Sequence, residues 1–84
     1  MKLQLRVQVF ARLREKLGRD EISVSVPPAA TVASLRAAIG ELCSHEFANL
    51  IRVSAVAVNG EYASEHAILK PTDEIALIPP VSGG

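Results

Sequence analysis

The residues best placed to do chemistry are the last six, Pro79-Pro80-Val81-Ser82-Gly83-Gly84. Their reactive group is the terminal carboxylate of Gly84, ionised at neutral pH with an ordinary pKa of about 3.5 and a poor electrophile as it stands. Attack by this carboxylate on the α-phosphate of ATP yields an acyl-adenylate with expulsion of pyrophosphate. A sulfur nucleophile can then displace AMP and leave a thiocarboxylate. Pro79 and Pro80 stiffen the chain where it leaves the fold and aim it outward. Six extended residues reach roughly 20 Å, and Gly83 and Gly84 carry no Cβ, so the tip fits a channel too narrow for any other residue. Sulfur carried on the backbone terminus needs no reactive thiol, in keeping with a chain whose only cysteine is Cys43.

Other constellations are missing. His45 and His66 are not at i,i+4 spacing and have no carboxylate–cysteine cluster around them, so they read as structural and no metal site is expected. Cys43 ends an apolar helical stripe and reads as a small buried thiol without reactivity. Asp73 and Glu74 are neighbours in sequence only, since adjacent strand residues point to opposite faces. Neither a glycine-rich phosphate loop nor a Gly-x-Ser-x-Gly elbow is present. No self-contained active site is expected in this chain.

Eighty-four residues make one small domain, and 49% hydrophobic content fills its core. Nine basic residues balance nine acidic ones, and only Phe10, Phe47 and Tyr62 are aromatic, which argues against a nucleic-acid partner. A single cysteine excludes an intrachain disulfide. The longest uncharged stretches fall short of the ~18 apolar residues that span a bilayer. Gln4 and Arg6 interrupt the start, where a signal peptide is continuously apolar. The expectation is a reduced, cytoplasmic location with no membrane partner.

The elements that position the tail are legible from periodicity. Leu3, Leu5, Val7 and Val9 alternate with polar residues, predicting a strand over 2–10. Phe10, Leu13 and Leu17 fall at helical spacing, predicting a short helix over 11–17 that Gly18 closes. Ile22, Val24 and Val26 mark a second strand, stopped by Pro27-Pro28. Thr31 is the expected N-cap of the main helix, whose stripe is Val32, Leu35, Ile39 and Leu42 over 32–43, with Gly40 a weak point. In 44–54, Phe47, Leu50 and Ile51 either extend that helix or form a separate turn. Ala55–Val58 is a strand leading into an Asn59-Gly60 turn, with Glu61-Tyr62 returning. Lys70-Pro71-Thr72-Asp73 is a second turn, and 74–78 is the last strand. This order predicts an α+β, β-grasp fold with four or five strands on one main helix. The domain is expected to be 1–78, with 79–84 a flexible, extended tail.

Phe10-Ala11-Arg12-Leu13-Arg14-Glu15, Val58-Asn59-Gly60-Glu61-Tyr62 and 73–84, ending Pro-Pro-Val-Ser-Gly-Gly, together resemble the MoaD family, small sulfur-carrier subunits of molybdopterin synthase, over essentially the whole chain. The resemblance implies a ubiquitin-like protein whose terminal glycine is adenylated with ATP by an E1-like, MoeB-type enzyme and then loaded from a sulfur donor protein. It further implies insertion of the tail into a MoaE-type large subunit, within a heterotetramer. There sulfur passes to cyclic pyranopterin monophosphate, two donations building the dithiolene of molybdopterin. By matched position Gly84 bears the thiocarboxylate, Gly83 threads the channel, and Pro79, Pro80, Val81 and Ser82 form the arm; no cofactor is bound. Arg12, Arg14 and Glu15 could contact the activating enzyme. The family usually has Gly-Asp-Glu where this chain has Thr72-Asp73-Glu74; with Pro71 beside it, the turn need not have the glycine's positive φ. Two further readings are a carrier for another product, such as the thiazole of thiamine, and a ubiquitin-like modifier or binding module. The thiazole carriers tend to be shorter and lack the 10–15 segment.

Overall fold

The structure, a computed structural model, describes residues 2–42 and 45–80, with the side chains of His45 and Glu46 excepted. The readings of Cys43, of the His45 side chain and of Val81–Gly84 lie outside the described residues. Strand β1 (Leu3–Val9) leads into helix α1 (Ala11–Leu17) and strand β2 (Glu21–Val26). Helices α2 (Val32–Leu42) and α3 (His45–Val53) follow, then strands β3 (Ala55–Val58), β4 (Glu61–Tyr62) and β5 (Ile75–Ile78). The five strands form one sheet in the order β2-β1-β5-β3-β4. β5 lies between β1, to which it is parallel, and β3, to which it is antiparallel. This is the β-grasp arrangement.

The period of two decides the sheet's faces. Leu5 opposite Val24 and Val7 opposite Ile22 put every apolar residue of the first hairpin on one side. The helices cover that side: Leu13, Val32, Leu35, Ile39 and Ile51 join Val9, Val56, Ile75 and Leu77 in one buried cluster. Gly18 ends α1 at φ +70°, donating its N–H to the Arg14 carbonyl at 2.9 Å. Thr31 caps α2, its Oγ1 accepting the Ser34 N–H at 3.3 Å.

Three details differ from the sequence reading. Phe10 is 43% exposed, not packed with Leu13. Strand parity outranks helical spacing here: with Leu5, Val7 and Val9 facing inward, the next residue faces out. The strand ends at Val9, and Phe10 becomes the extended N-cap of α1. Leu42 is 63% exposed, because α2 ends there and the core takes Ile51 from α3. Residues 45–53 form a separate helix, resolving the ambiguity of that segment; an arginine clamp described below fastens its end.

The turns confirm their residue chemistry. Asn59 at φ +53° and Gly60 at φ +85° make the tight β3–β4 hairpin. Thr72 is not among the non-glycine residues with positive φ, so the family's glycine is not needed at this turn. Asp73 organises it instead, accepting the Lys70 N–H on Oδ2 at 2.8 Å.

Candidate functional site

β5 carries the chain to the tail, and the fold holds it on both sides. Leu77 lies opposite Val9 on one flank and Val56 on the other, and Ile78 lies opposite Ala55. Ile75 and Leu77 are almost fully buried. Pro79 is also buried, while Pro80 is exposed. Neither proline has an N–H to offer a ladder, so strand pairing by donation stops at Ile78. Parallel pairing of β1 and β5 brings the end of β1, and with it the start of α1, to the same end of the sheet. The antiparallel partner β3 begins there, directly after α3. The root of the tail therefore lies beside the N-terminus of α1 and the C-terminus of α3.

An arginine that sequence reasoning missed holds the second of these neighbours. Arg36 sits on α2 beside the buried stripe, its side chain only 16% exposed. Its Nη1 donates to the carbonyls of Ile51 (2.8 Å), Arg52 (3.3 Å) and Ser54 (2.5 Å). These are carbonyls of the last turn of α3 and just beyond it, of which Ile51 also accepts the Ser54 N–H at 3.3 Å, and a cation there complements the helix dipole. The other edge of the guanidinium pairs with Glu65, Nε to Oε1 at 3.0 Å and Nη2 to Oε2 at 2.7 Å. Those hydrogen bonds hold the Glu65 carboxyl below its usual range, burial opposing the shift and the charges of Arg36 and His66 adding to it. Ser54, 3% exposed, donates its hydroxyl to the Leu50 carbonyl. The next residue, Ala55, pairs with the end of β5. One cation bordering an apolar helical stripe was the only sequence signal, and its partners lie 15 to 29 positions away.

The predicted activator-contact residues are together on the surface. Arg12, Arg14 and Glu15 are exposed on α1 and border one open depression of about 800 Å³ with Gly18, Arg19 and Asp20. Arg14 is engaged there, its Nε 2.6 Å from Asp20 Oδ1. On the sheet face away from the helices, Gln8, Phe10, Ala57, Tyr62, Ala76 and Ile78 line a second depression of about 350 Å³. Tyr62 is 77% exposed, and with Phe10 and Ile78 it makes an apolar strip open to solvent at the tail's root, edged by Gln8 and Glu74. His66 is exposed, and among the described residues no three His, Cys, Asp or Glu side chains gather as a metal site requires. No described helix is long and apolar enough to cross a membrane.

Comparison with known proteins agrees with this geometry. The chain is 36% identical to the molybdopterin synthase sulfur carrier subunit of Dictyostelium discoideum, over the full length of both. Among solved structures it superposes on SAMP1 of Haloferax volcanii with a TM-score of 0.75 at 33% identity, covering 96% of this chain and 99% of that one. It also matches a chain in the complex of subunits 1 and 2 of the molybdopterin-converting factor of Helicobacter pylori, with a TM-score of 0.66 at 25% identity, covering 98% and 100%. Residues 7–84 match the ThiS family, and with that coverage and a ubiquitin-like β-grasp sheet ending at the tail's root, the chain belongs to the ThiS family.

Proposed function

We propose that this chain is the sulfur carrier of molybdenum-cofactor synthesis. Gly84 is adenylated, converted to a thiocarboxylate, and donates its sulfur to cyclic pyranopterin monophosphate inside molybdopterin synthase. The observation that carries this reading is the end-to-end similarity to a protein named as that carrier. Residues 79–84 act as the arm of a 1–78 domain: Pro79, Pro80, Val81 and Ser82 span to the partner, and Gly83 passes its narrow channel.

The reaction balances without a group supplied by the folded domain. A Gly84 carboxylate oxygen bonds to the α-phosphorus of ATP and pyrophosphate leaves. A hydrosulfide equivalent from a sulfur donor protein attacks the acyl carbon, AMP departs, and a proton is released. The E1-like, MoeB-type enzyme supplies the catalytic residues of the first step, and the MoaE-type large subunit those of the last. The carrier is thus a co-substrate of both, working in the cytoplasm and in a heterotetramer with the large subunit. The complex of the two Helicobacter subunits supports a large-subunit partner. The apolar sheet patch of Phe10, Tyr62 and Ile78 is the docking face, since it adjoins the root from which the arm must enter.

Incubation with ATP, an E1-like activator and a sulfur source should replace one oxygen by sulfur in the intact mass. Deleting Gly84 should abolish that change and leave thermal unfolding unaltered; sulfur loading that survives the deletion sinks the reading. The likeness to SAMP1, a small archaeal modifier protein, favours one alternative, attachment to lysines of other proteins. Tail-dependent conjugates on a blot, with no molybdopterin formed on reconstitution, would select it.

A further inference from the structure

A second groove lies on the helical side, between α1 and α3. Arg12 and Lys16, one turn apart on α1, form one wall. Phe47, Leu50 and Val53, at steps of three along α3, form the other, with Asn49 at the rim; the volume is about 320 Å³. Lys16 Nζ lies 5.2 Å from the centre of the Phe47 ring, a cation–π contact that spans the groove. Val53 is 57% exposed although apolar. No described carboxylate lines the groove, and neither Arg12 nor Lys16 forms an ion pair with a described residue. Among the described residues the groove therefore has an apolar floor under a positively charged rim of Arg12 and Lys16, in a chain whose net charge is zero.

We propose that this groove docks an acidic, amphipathic protein segment, an aliphatic or aromatic side chain flanked by carboxylates. Two observations select that occupant. Charge complementarity calls for carboxylates against Arg12 and Lys16, while the apolar floor calls for a hydrophobic anchor. The groove also runs to the tail's root: Arg12 is at the start of α1 and Val53 at the end of α3, both beside the end of β5. A segment seated here leaves the open sheet face free, so two partners, or two parts of one, can hold the carrier from opposite sides. A second copy is the poorer occupant, because a two-fold symmetric contact sets the same cations against each other.

The test is titration of the isotope-labelled full chain, followed by amide shifts, with a short helical peptide bearing leucine on one face and glutamate on the other. Shifts should concentrate at Arg12, Lys16, Leu50 and Val53 and shrink with added salt. The double variant Arg12→Glu/Lys16→Glu, and separately Val53→Asp, should weaken binding at least about tenfold, as should exchanging the peptide's glutamates for lysines. Both sites are exposed, so the variants keep the fold, checked by unchanged spectra elsewhere. Several results overturn the proposal. They are shifts on the open sheet face instead, equal binding of the lysine peptide, no shift at millimolar peptide, or shifts that follow the carrier's own concentration, which assign the groove to a second copy.

Discussion

The two ends of β5 are held in opposite ways. At its leading end the chain is tied by polar bonds. Asn59 donates its N–H to the Glu74 carbonyl at 2.8 Å, accepts the Glu74 N–H on Oδ1 at 2.9 Å, and donates Nδ2 to Asp73 Oδ1 at 3.1 Å. At its exit end two prolines can donate nothing, and Pro79 is held by burial alone. What steadies the exit is its neighbours: Val9 and Ala55 beside the strand, and Arg36 fastening the helix that precedes Ala55. The strand is thus anchored upstream and sideways, and the backbone of Pro79 and Pro80 donates no hydrogen bond to either neighbour.

The largest effect falls between the ends. Leu77→Ala removes a side chain 1% exposed from beneath the centre of the sheet and should cost about 3 kcal/mol in denaturant unfolding, loosening both ends together. If amide exchange rose only around Ile78, the ends would be energetically separate and the contrast sharper than drawn. Arg36→Ala removes the donor shared by the Ile51, Arg52 and Ser54 carbonyls, leaving Ile51 only the longer Ser54 N–H bond, and should cost about 2 kcal/mol. Its distinctive reading is faster exchange at Ala55 and Ile78 with the Asn59 amide still protected; the reverse order would break the comparison. Asn59→Ala should cost about 1 kcal/mol, from lost side-chain bonds and a left-handed backbone that alanine resists. It should loosen the leading end and leave the sulfur loading proposed for Gly84 unchanged.

The smallest effect is pH-dependent. Because the folded Glu65 carboxyl is held below its ordinary range, its contribution is complete above the unfolded group's pKa. It is lost as the pH falls through the folded value. On acid titration of stability, Glu65→Gln should lack this part of the slope, and in the Arg36→Ala background the difference between the two titrations should shrink to the lesser part that the His66 charge supplies. An undiminished difference there would assign the shift to some group other than Arg36.

The strands were legible because one half-buried face imposes a period of two, and only Phe10 fell between two periodicities. Helix α3 was not, since Phe47, Leu50 and Ile51 suit an extension of α2 as well as a helix of their own. The chemistry proposed for the tail rests on residue types alone, because it resides in the backbone terminus. The shell around its root could not. Arg36 meets Ile51, Ser54 and Glu65 only after the chain has folded back, and no spacing rule pairs them. Nor did sequence show Arg12 and Lys16 standing across from Phe47, since α1 and α3 are separated by β2 and α2.

The placement of β5 between β1 and β3 has a kinetic consequence. The local pairings, β1 with β2 and β3 with β4, close short loops and can form early, but within the sheet no strand joins them until the last one slides between them. That insertion joins Val7 to Ile75, contacts separated by nearly the whole chain, and such long loop closures are the slow part of folding. Maturation of the sheet and placement of Ile78 and Pro79 at its end are therefore one event, and a half-assembled copy has no fixed end to β5.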